Sequence, residues 1–203
     1  MDEARTIQDA QNGSLAAFNQ LVMAYQGTAY NVAYRIMGQQ EPAADACQDA
    51  FLKAYKALKQ YQGGSFKSWL MRIVTNTCYD QLRYKSRRPA TSLDDMTENP
   101  NEHNTKLVNG AERPEDKVLR GELGDLLQAG ILQLPEDQRI VLVLSDVQGF
   151  SYQEIAEIIG QPLGTVKSRL SRGRRHLRDF LQTKKELLPD QYRLKDKEVG
   201  KRE

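Results

Sequence analysis

The sequence predicts an all-α chain: two helical domains joined by a flexible acidic linker. Three observations carry that expectation. Apolar residues recur at helical spacing through residues 14–88 and again through 115–181. Between these stretches, Ala90 to Glu112 changes texture, being rich in Asp, Glu, Asn and Thr and poor in apolar residues. Residues 150–181, FSYQEIAEIIGQPLGTVKSRLSRGRRHLRDFL, carry the punctuation of a helix-turn-helix. The domains are therefore expected at 1–89 and 115–182, with the linker at 90–114 and a charged tail at 183–203.

In chain order, Met1 to Gly13 reads as a short charged helix or a loose lead. Ser14 then offers a hydroxyl that can accept from an otherwise orphaned helix N–H, and Phe18, Leu21, Val22 and Tyr25 follow at core spacing. The pattern continues through Tyr30, Ala33, Tyr34 and Met37 to a stop at Gly38, as one helix or a kinked pair. Pro42 marks the next start, and from Ala43 to Tyr61 the residues Cys47, Phe51, Ala54, Tyr55 and Leu58 form an apolar stripe. A polar stripe of Asp45, Gln48, Asp49, Leu52, Lys56 and Lys59 lies beside it and carries one exposed leucine.

Gln62 to Ser65 form a loop before a third strong helix, in which Phe66, Trp69, Leu70, Ile73, Val74 and Thr77 face inward. Along the same helix Arg72, Asn76, Tyr79, Arg83 and Arg87 recur at spacings of three and four, ending in the cluster Arg83, Lys85, Arg87 and Arg88. Arginine supplies phosphate contacts, tyrosine a stacking face and asparagine base-edge hydrogen bonds, so the stripe suits single-stranded nucleic acid. Asn76 is a poor helix-interior residue, which packing alone does not explain. Pro89 ends the helix.

In the second half, Val118, Leu119, Leu123, Leu126 and Leu127 keep helical period from Glu115 to Ile131, although Gly121 and Gly124 weaken the case for an unbroken helix. Pro135 opens another helix with Ile140, Val141, Leu142 and Leu144 buried, and Gly149 closes it. Ser151 with Glu154 makes a capping box, and Phe150 can pack on Ile155 as a hydrophobic staple. Ile155, Ala156, Ile158 and Ile159 form an apolar face, Gly160 supplies the left-handed residue that ends the helix, and Gln161 and Pro162 complete the turn.

From Thr165 the period restarts, with Val166, Leu170, Gly173, Leu177 and Phe180 or Leu181 on the core side. Ser168, Ser171, Arg172 and Arg175 point the opposite way, with Lys167, Arg174 and Arg178 on one flank and Arg169 and His176 on the other. No acidic residue interrupts Thr165 to Arg178. A small residue, Ala156, where the two helices cross, Gly160 four positions later and the apolar anchor Val166 six after that are what this motif needs to place its second helix in a major groove.

Composition excludes several function classes. With a formal net charge of +2 over 203 residues, a nucleic-acid surface has to come from uneven distribution of charge. Cys47 and Cys78 stand far from each other and from His103 and His176, so neither a zinc site nor a disulfide framework is expected, and no cofactor or metal. Met1 to Ser14 is polar and nowhere do eighteen apolar residues run together, so a soluble cytoplasmic protein without membrane insertion is expected. No HExxH, phosphate-binding glycine loop or spaced nucleophile and base is present, which argues against an enzyme.

Three motifs in order, DACQDAFLKAYKAL, SFKSWLMRIVTNTCYDQLRYKSRRP and LPEDQRIVLVLSDVQGFSYQEIAEIIGQPLGTVKSRLSRGRR, resemble the sigma-70 family of bacterial transcription initiation factors. The likeness is to the short extracytoplasmic-function type, with only the second and fourth sigma domains, and it covers about residues 14 to 181. It implies docking on core RNA polymerase at its clamp helices and flap, with Gln48, Asp49, Leu52, Lys53 and Lys56 at the polymerase-binding positions. It implies that the −10 promoter element is caught as melted single strand by Ser65, Phe66, Arg72, Asn76, Tyr79, Arg83, Arg87 and Arg88. The −35 element would be read as duplex by Lys167, Ser168, Ser171, Arg172, Arg174 and Arg175.

Some relatives carry arginine at the position of Lys167 and an aromatic at that of Ser171. Lysine lacks the bidentate fork and serine cannot make the apolar contact, so the −35 sequence preferred here is expected to differ. The resemblance also implies that the acidic linker threads toward the RNA exit path, and that an anti-sigma factor is a partner. Two functions from different classes follow: a dissociable promoter-specificity subunit, or a free-standing helix-turn-helix regulator that binds duplex DNA unaided.

Overall fold

Local signals set most of the helix ends. The computed structural model describes residues 2–87, 114–184 and 186. Its α-helices are α1 (Glu3–Gln11), α2 (Leu15–Met37), α3 (Gln40–Ala57), α4 (Phe66–Arg87), α5 (Pro114–Leu132), α6 (Glu136–Leu142), α7 (Tyr152–Ile159) and α8 (Leu163–Thr183). Arg88, the acidic stretch Ala90 to Glu112 and most of the tail lie outside the described residues.

The opening stretch is a helix, capped where the Asp2 carboxylate accepts from the Arg5 N–H at 3.3 Å. Ser14 caps α2 by accepting from the Ala17 N–H, and the helix then runs unbroken to Met37. Of the two readings of that stretch, one helix or a kinked pair, the single helix is the one adopted. α3 starts at Gln40, two residues ahead of Pro42. Proline is tolerated there because N–H groups in the first turn have no intrahelical acceptor.

The face that α3 buries departs from expectation. Ala43, Ala46, Ala50 and Ala54 are completely buried, whereas Tyr55, read as part of the apolar stripe, is 44% exposed. Small residues at spacings of three and four let α3 lie close to both α2 and α4, so the bulkier side chains are turned toward its margins. Tyr55 still packs its ring edge-on against Phe18, with centroids 4.9 Å apart.

Aromatic packing fixes the start of α4. Phe66 meets Tyr25, Tyr61 and Trp69 at centroid separations of 5.5, 5.6 and 5.4 Å. The loop before it is tied at both ends: the Tyr61 hydroxyl donates to the Gly64 carbonyl at 2.7 Å, and the Gln11 amide donates to the carbonyls of Leu58 and Tyr61. The N-terminal helix thus serves to hold the loop that enters α4.

In the second half, α5 is continuous despite Gly121 and Gly124. Gly130 lies against α8 so closely that an added Cβ would stand 2.6 Å from Leu177 Cδ1. After α6 the chain opens into one wide turn over Val143–Val147, in which the Gln148 N–H donates to the Val143 carbonyl. Val143 and Leu144 stay buried there, while Asp146 faces α8. α8 begins at Leu163, ahead of the expected Thr165, because the Pro162 carbonyl accepts from both Thr165 and Val166 and so adds a first turn.

The halves are not separate. The α2 C-terminus packs on α5 and α6, and α4 packs on α7.

Candidate nucleic-acid interface

α7 and α8 build the first candidate surface from local rules. The Ser151 N–H donates to Glu154 Oε2 at 2.8 Å and the Glu154 N–H donates to Ser151 Oγ at 3.2 Å, completing the capping box. These hydrogen bonds hold the Glu154 carboxyl below its usual pKa. Gly160 ends α7 in the left-handed conformation, with φ 63°. Ile155, Ile158, Val166 and Leu170 bury the inner faces, and Gly173 lets α8 rest against Gln138 of α6.

That packing turns Lys167, Ser168, Ser171, Arg172 and Arg175 outward, all exposed. The Arg172 guanidinium folds back along its own helix, donating to the Ser168 carbonyl at 3.2 Å and to Ser168 Oγ at 3.3 Å. Among the described residues no carboxylate pairs with Lys167, Arg172 or Arg175. Such a row of uncompensated cations with interspersed hydroxyls can take phosphates and base edges of a duplex.

Arg174 is placed differently from its neighbours. It makes a bidentate pair with Asp146, at 2.9 and 2.6 Å, which raises the Arg174 pKa and lowers that of Asp146. Its guanidinium is committed to the wide turn after α6. On the other flank Arg169 pairs with Asp137 at 3.0 Å.

The second candidate surface lies on α4. Arg72, Asn76 and Arg83 are exposed and Tyr79 is half-buried against the core. Arg87 is the last residue of α4. Phe66, expected on this surface, is only 2% exposed inside the aromatic cluster, so its ring is not offered to a strand. The correction follows from the loop geometry, which turns the Phe66 side chain toward Tyr25 and Trp69. Ser65 is exposed, and its hydroxyl accepts from the Ser68 N–H at 3.1 Å in the first turn of α4.

A third surface is the outer face of α3. Gln48, Asp49, Lys53 and Lys56 are exposed, and Leu52 is 53% exposed. Lys53 donates to the Thr77 hydroxyl at 3.1 Å and Asp49 accepts from Gln81 at 3.3 Å, which ties this face to α4. An exposed leucine between tethered charges suits a protein contact more than a nucleic-acid one.

The structure also brings together residues that no sequence pattern joins. Thr75, Asn76 and Tyr79 of α4 share a cavity of about 250 Å³ with Asp137, Ile140, Ile159, Gln161 and Arg169 of the second half. Arg35 donates to Gln128 at 2.8 Å, and Arg139 donates to the Ile36 carbonyl at 2.7 Å. No local pattern announces these contacts, since the partners lie about a hundred positions apart in the chain.

No described helix is long and apolar enough to cross a membrane. Among the described residues there is no cluster of His, Cys, Asp and Glu that could hold a metal ion. Burial pushes the Cys47 and Cys78 thiols up to about 11 and about 12, so both are poor nucleophiles near neutrality.

Comparison with known proteins follows the same division. Residues 21–88 match the family model of sigma-70 region 2, and residues 124–177 match that of sigma-70 region 4. The RNA polymerase sigma-H factor of Pseudomonas aeruginosa is 36% identical over 183 residues, spanning 89% of this chain and 94% of that protein. The ECF RNA polymerase sigma-E factor of Escherichia coli is 36% identical over 87% of this chain and 92% of its own length. ECF RNA polymerase sigma factor SigE of Mycolicibacterium smegmatis is also 36% identical, and this chain spans 63% of its length.

Among solved structures, the sigma factor RpoE of Bartonella quintana, in complex with the anti-sigma factor NepR, has a TM-score of 0.61 and 26% identity. It covers 81% of this chain and 96% of its own. CnrH in complex with the cytosolic domain of CnrY has a TM-score of 0.62 over 90% of this chain and 99% of its own, and at 24% identity shows a common fold.

Proposed function

Since the chain belongs to the extracytoplasmic-function group of the sigma-70 family, we propose that it divides promoter reading between its two helical domains. It is an alternative sigma factor: it directs transcription initiation by lending DNA recognition to core RNA polymerase, which supplies the chemistry. The free-standing regulator gains no support from the relatives, which are named as RNA polymerase sigma factors.

On this reading α8 enters the major groove of the −35 element. Lys167, Ser168, Ser171, Arg172 and Arg175 lie at the contact face, and Arg174 acts mainly by bracing α8 on the preceding turn. α4 takes the −10 element once its strands part, with Asn76 offering hydrogen bonds to a base edge, Tyr79 a stacking face, and Arg72, Arg83, Arg87 and Arg88 positive charge along the backbone. Flipping a base costs a few kcal/mol, which stacking of about 1–3 kcal/mol per base and phosphate contacts offset. Ser65 acts by shaping the N-terminus of α4, and Phe66 acts from the core.

The outer face of α3, with Gln48, Asp49, Leu52, Lys53 and Lys56, would meet the clamp helices of the polymerase, and the second domain its flap. The domains are proposed at 1–89 and 115–182, a division supported by the matched regions 21–88 and 124–177 that lie within them. A protein that works on cytoplasmic polymerase would itself be cytoplasmic. The RpoE relative of Bartonella quintana is in complex with NepR, which is named an anti-sigma factor, and a partner of that class is proposed here.

The observation that carries this reading is the pair of exposed cationic faces on α4 and α8, one on each matched region. A mobility-shift experiment on promoter DNA tests it. Purified protein alone should leave the DNA unshifted, and addition of core polymerase should give a specific complex. A specific shift without polymerase would favour the free-standing regulator.

A further inference from the structure

The first helix lies ahead of the matched regions, which begin at residue 21, and its contacts carry an inference that rests on the reading of α4 as the strand-catching helix. Gln11, the last residue of α1, reaches across to the end of α3. Its amide nitrogen donates to the Leu58 carbonyl at 3.1 Å and to the Tyr61 carbonyl at 2.8 Å. A side-chain amide has two N–H donors, and here both serve backbone that lies 47 and 50 positions away in the chain. Leu58 opens the 3₁₀ turn, Leu58–Gln60, with which the α3 segment ends, and Tyr61 is the residue that leaves it. Carbonyls at a helix C-terminus lack a full set of intrahelical donors, so a donor from another helix fixes where the chain departs.

What departs is a segment with little else to hold it. Gln62, Gly63, Gly64 and Ser65 are all exposed. Gly63 and Gly64 have φ 103° and 89°, a region open to glycine and costly for other residues. Beyond their chain neighbours no described atom comes within 4 Å of where a Cβ would stand on either. A glycine pair without packing neighbours samples many shapes unless its ends are fixed. Here they are. Gln11 holds the entry, the Tyr61 hydroxyl donates across the turn to the Gly64 carbonyl at 2.7 Å, and Ser65 caps α4 by accepting from the Ser68 N–H. α1 is itself tied down beside the same turn, since the Tyr25 hydroxyl donates to Glu3 Oε2 at 2.9 Å and the Tyr25 ring meets Phe66.

Helix geometry links this turn to the strand-reading face. Projected at 3.6 residues per turn, Ser65, Arg72 and Asn76 fall within about 40° of one another around α4, with Ser65 and Asn76 about 16 Å apart along it. The turn therefore opens onto the side of α4 that carries Arg72 and Asn76, at its N-terminal end.

We propose that Gln11 is a positioning residue for strand capture: its double hydrogen bond fixes the Gln62–Ser65 turn at the head of α4, so that an unpaired base held beside Arg72 and Asn76 meets one backbone arrangement. Gln11 itself touches no DNA. Base selectivity depends on such preorganisation, because ordering a loose turn at the moment of binding subtracts from every contact the turn makes.

The test uses the full-length chain bound to core polymerase and a pool of single-stranded DNA of random sequence, from which bound strands are recovered and sequenced. Gln11→Glu keeps the shape of the side chain and removes both N–H donors. Tyr61→Phe removes the tie to Gly64 and keeps the ring, so it decides the matter from the other end of the turn if Gln11→Glu does not fold. Asn76→Ala shows what loss of a direct base contact does, and Ile36→Val, a core trim near the C-terminal end of α2, controls for lost stability. Preference for one base over another is a ratio within one sample, so the folded fraction cancels from it.

Wild type should select particular bases. Gln11→Glu and Tyr61→Phe should each flatten that preference at the same position by about 10-fold, within the discrimination of one well-placed base contact, while Ile36→Val selects as wild type does. Wild-type preference in Gln11→Glu, or in Tyr61→Phe where Gln11→Glu does not fold, overturns the proposal, and so does an equal flattening in Ile36→Val. A wild-type chain with no more base preference than Asn76→Ala would instead overturn the strand-reading assignment of α4.

Discussion

Phe66 shows how a side chain can belong to a site without touching its ligand. At 2% exposure it fills the space between Tyr25, Tyr61 and Trp69, and the loop into α4 is wrapped around it. Phe66→Ala should destabilise the first domain by about 3–5 kcal/mol in urea unfolding, the usual cost of emptying an aromatic core position. A variant of wild-type stability that bound strands poorly would return Phe66 to the DNA surface. The inward periodicity of Phe66 was legible in the sequence. The motif likeness placed it at the reading surface as well, and only packing decides between the two.

Arg174 and Asp146 make the same point for charge. Both were visible in sequence, but their pairing depends on the wide turn after α6, which no residue pattern announces. The Asp146 carboxyl is held below its ordinary value, chiefly by the Arg174 hydrogen bonds. A carboxyl with a depressed folded pKa contributes stability above its unfolded value of about 3.9 and loses that contribution as pH falls through the folded value. Asp146→Asn should therefore lower the melting temperature at pH 7, by a difference worth no more than about 1 kcal/mol for so exposed a pair. Thermal unfolding should show the gap closing below about pH 4. A gap independent of pH would mean that the carboxylate charge contributes nothing.

At the scale of elements, the sequence was most informative where structure is punctuated locally. The capping box at Ser151 and Glu154, the glycine at 160 and the apolar faces of α7 and α8 are all found where reading the residues placed them. Ser151→Ala removes the acceptor for the Glu154 N–H and should cost about 1 kcal/mol of stability in the second domain. An unchanged unfolding midpoint would show that α7 is held by packing alone. α3 was less legible because its buried face is made of alanines, which carry little hydrophobic signal against Phe51 and Tyr55. Their burial depends on how closely α2 and α4 approach, a property of three helices together.

At the scale of the molecule, the two-domain plan and both cationic faces could be read in advance, since each rests on periodicity and on the distribution of charge. The seating of one domain on the other could not. Arg35 with Gln128, and Arg139 with the end of α2, are ordinary residues until the chain brings them together. The central claim is that recognition is split, with α8 reading paired bases and α4 catching an unpaired strand. Reconstituted holoenzyme on a cognate promoter, scored both for closed-complex affinity and for permanganate reactivity of −10 thymines, tests it most directly. Asn76→Ala should reduce permanganate reactivity with closed binding unchanged. Arg172→Ala should weaken closed binding by about 1–3 kcal/mol while the fraction of bound complexes that open stays as in wild type. If each substitution depressed both quantities to the same degree, the division of labour between the two helices would be contradicted.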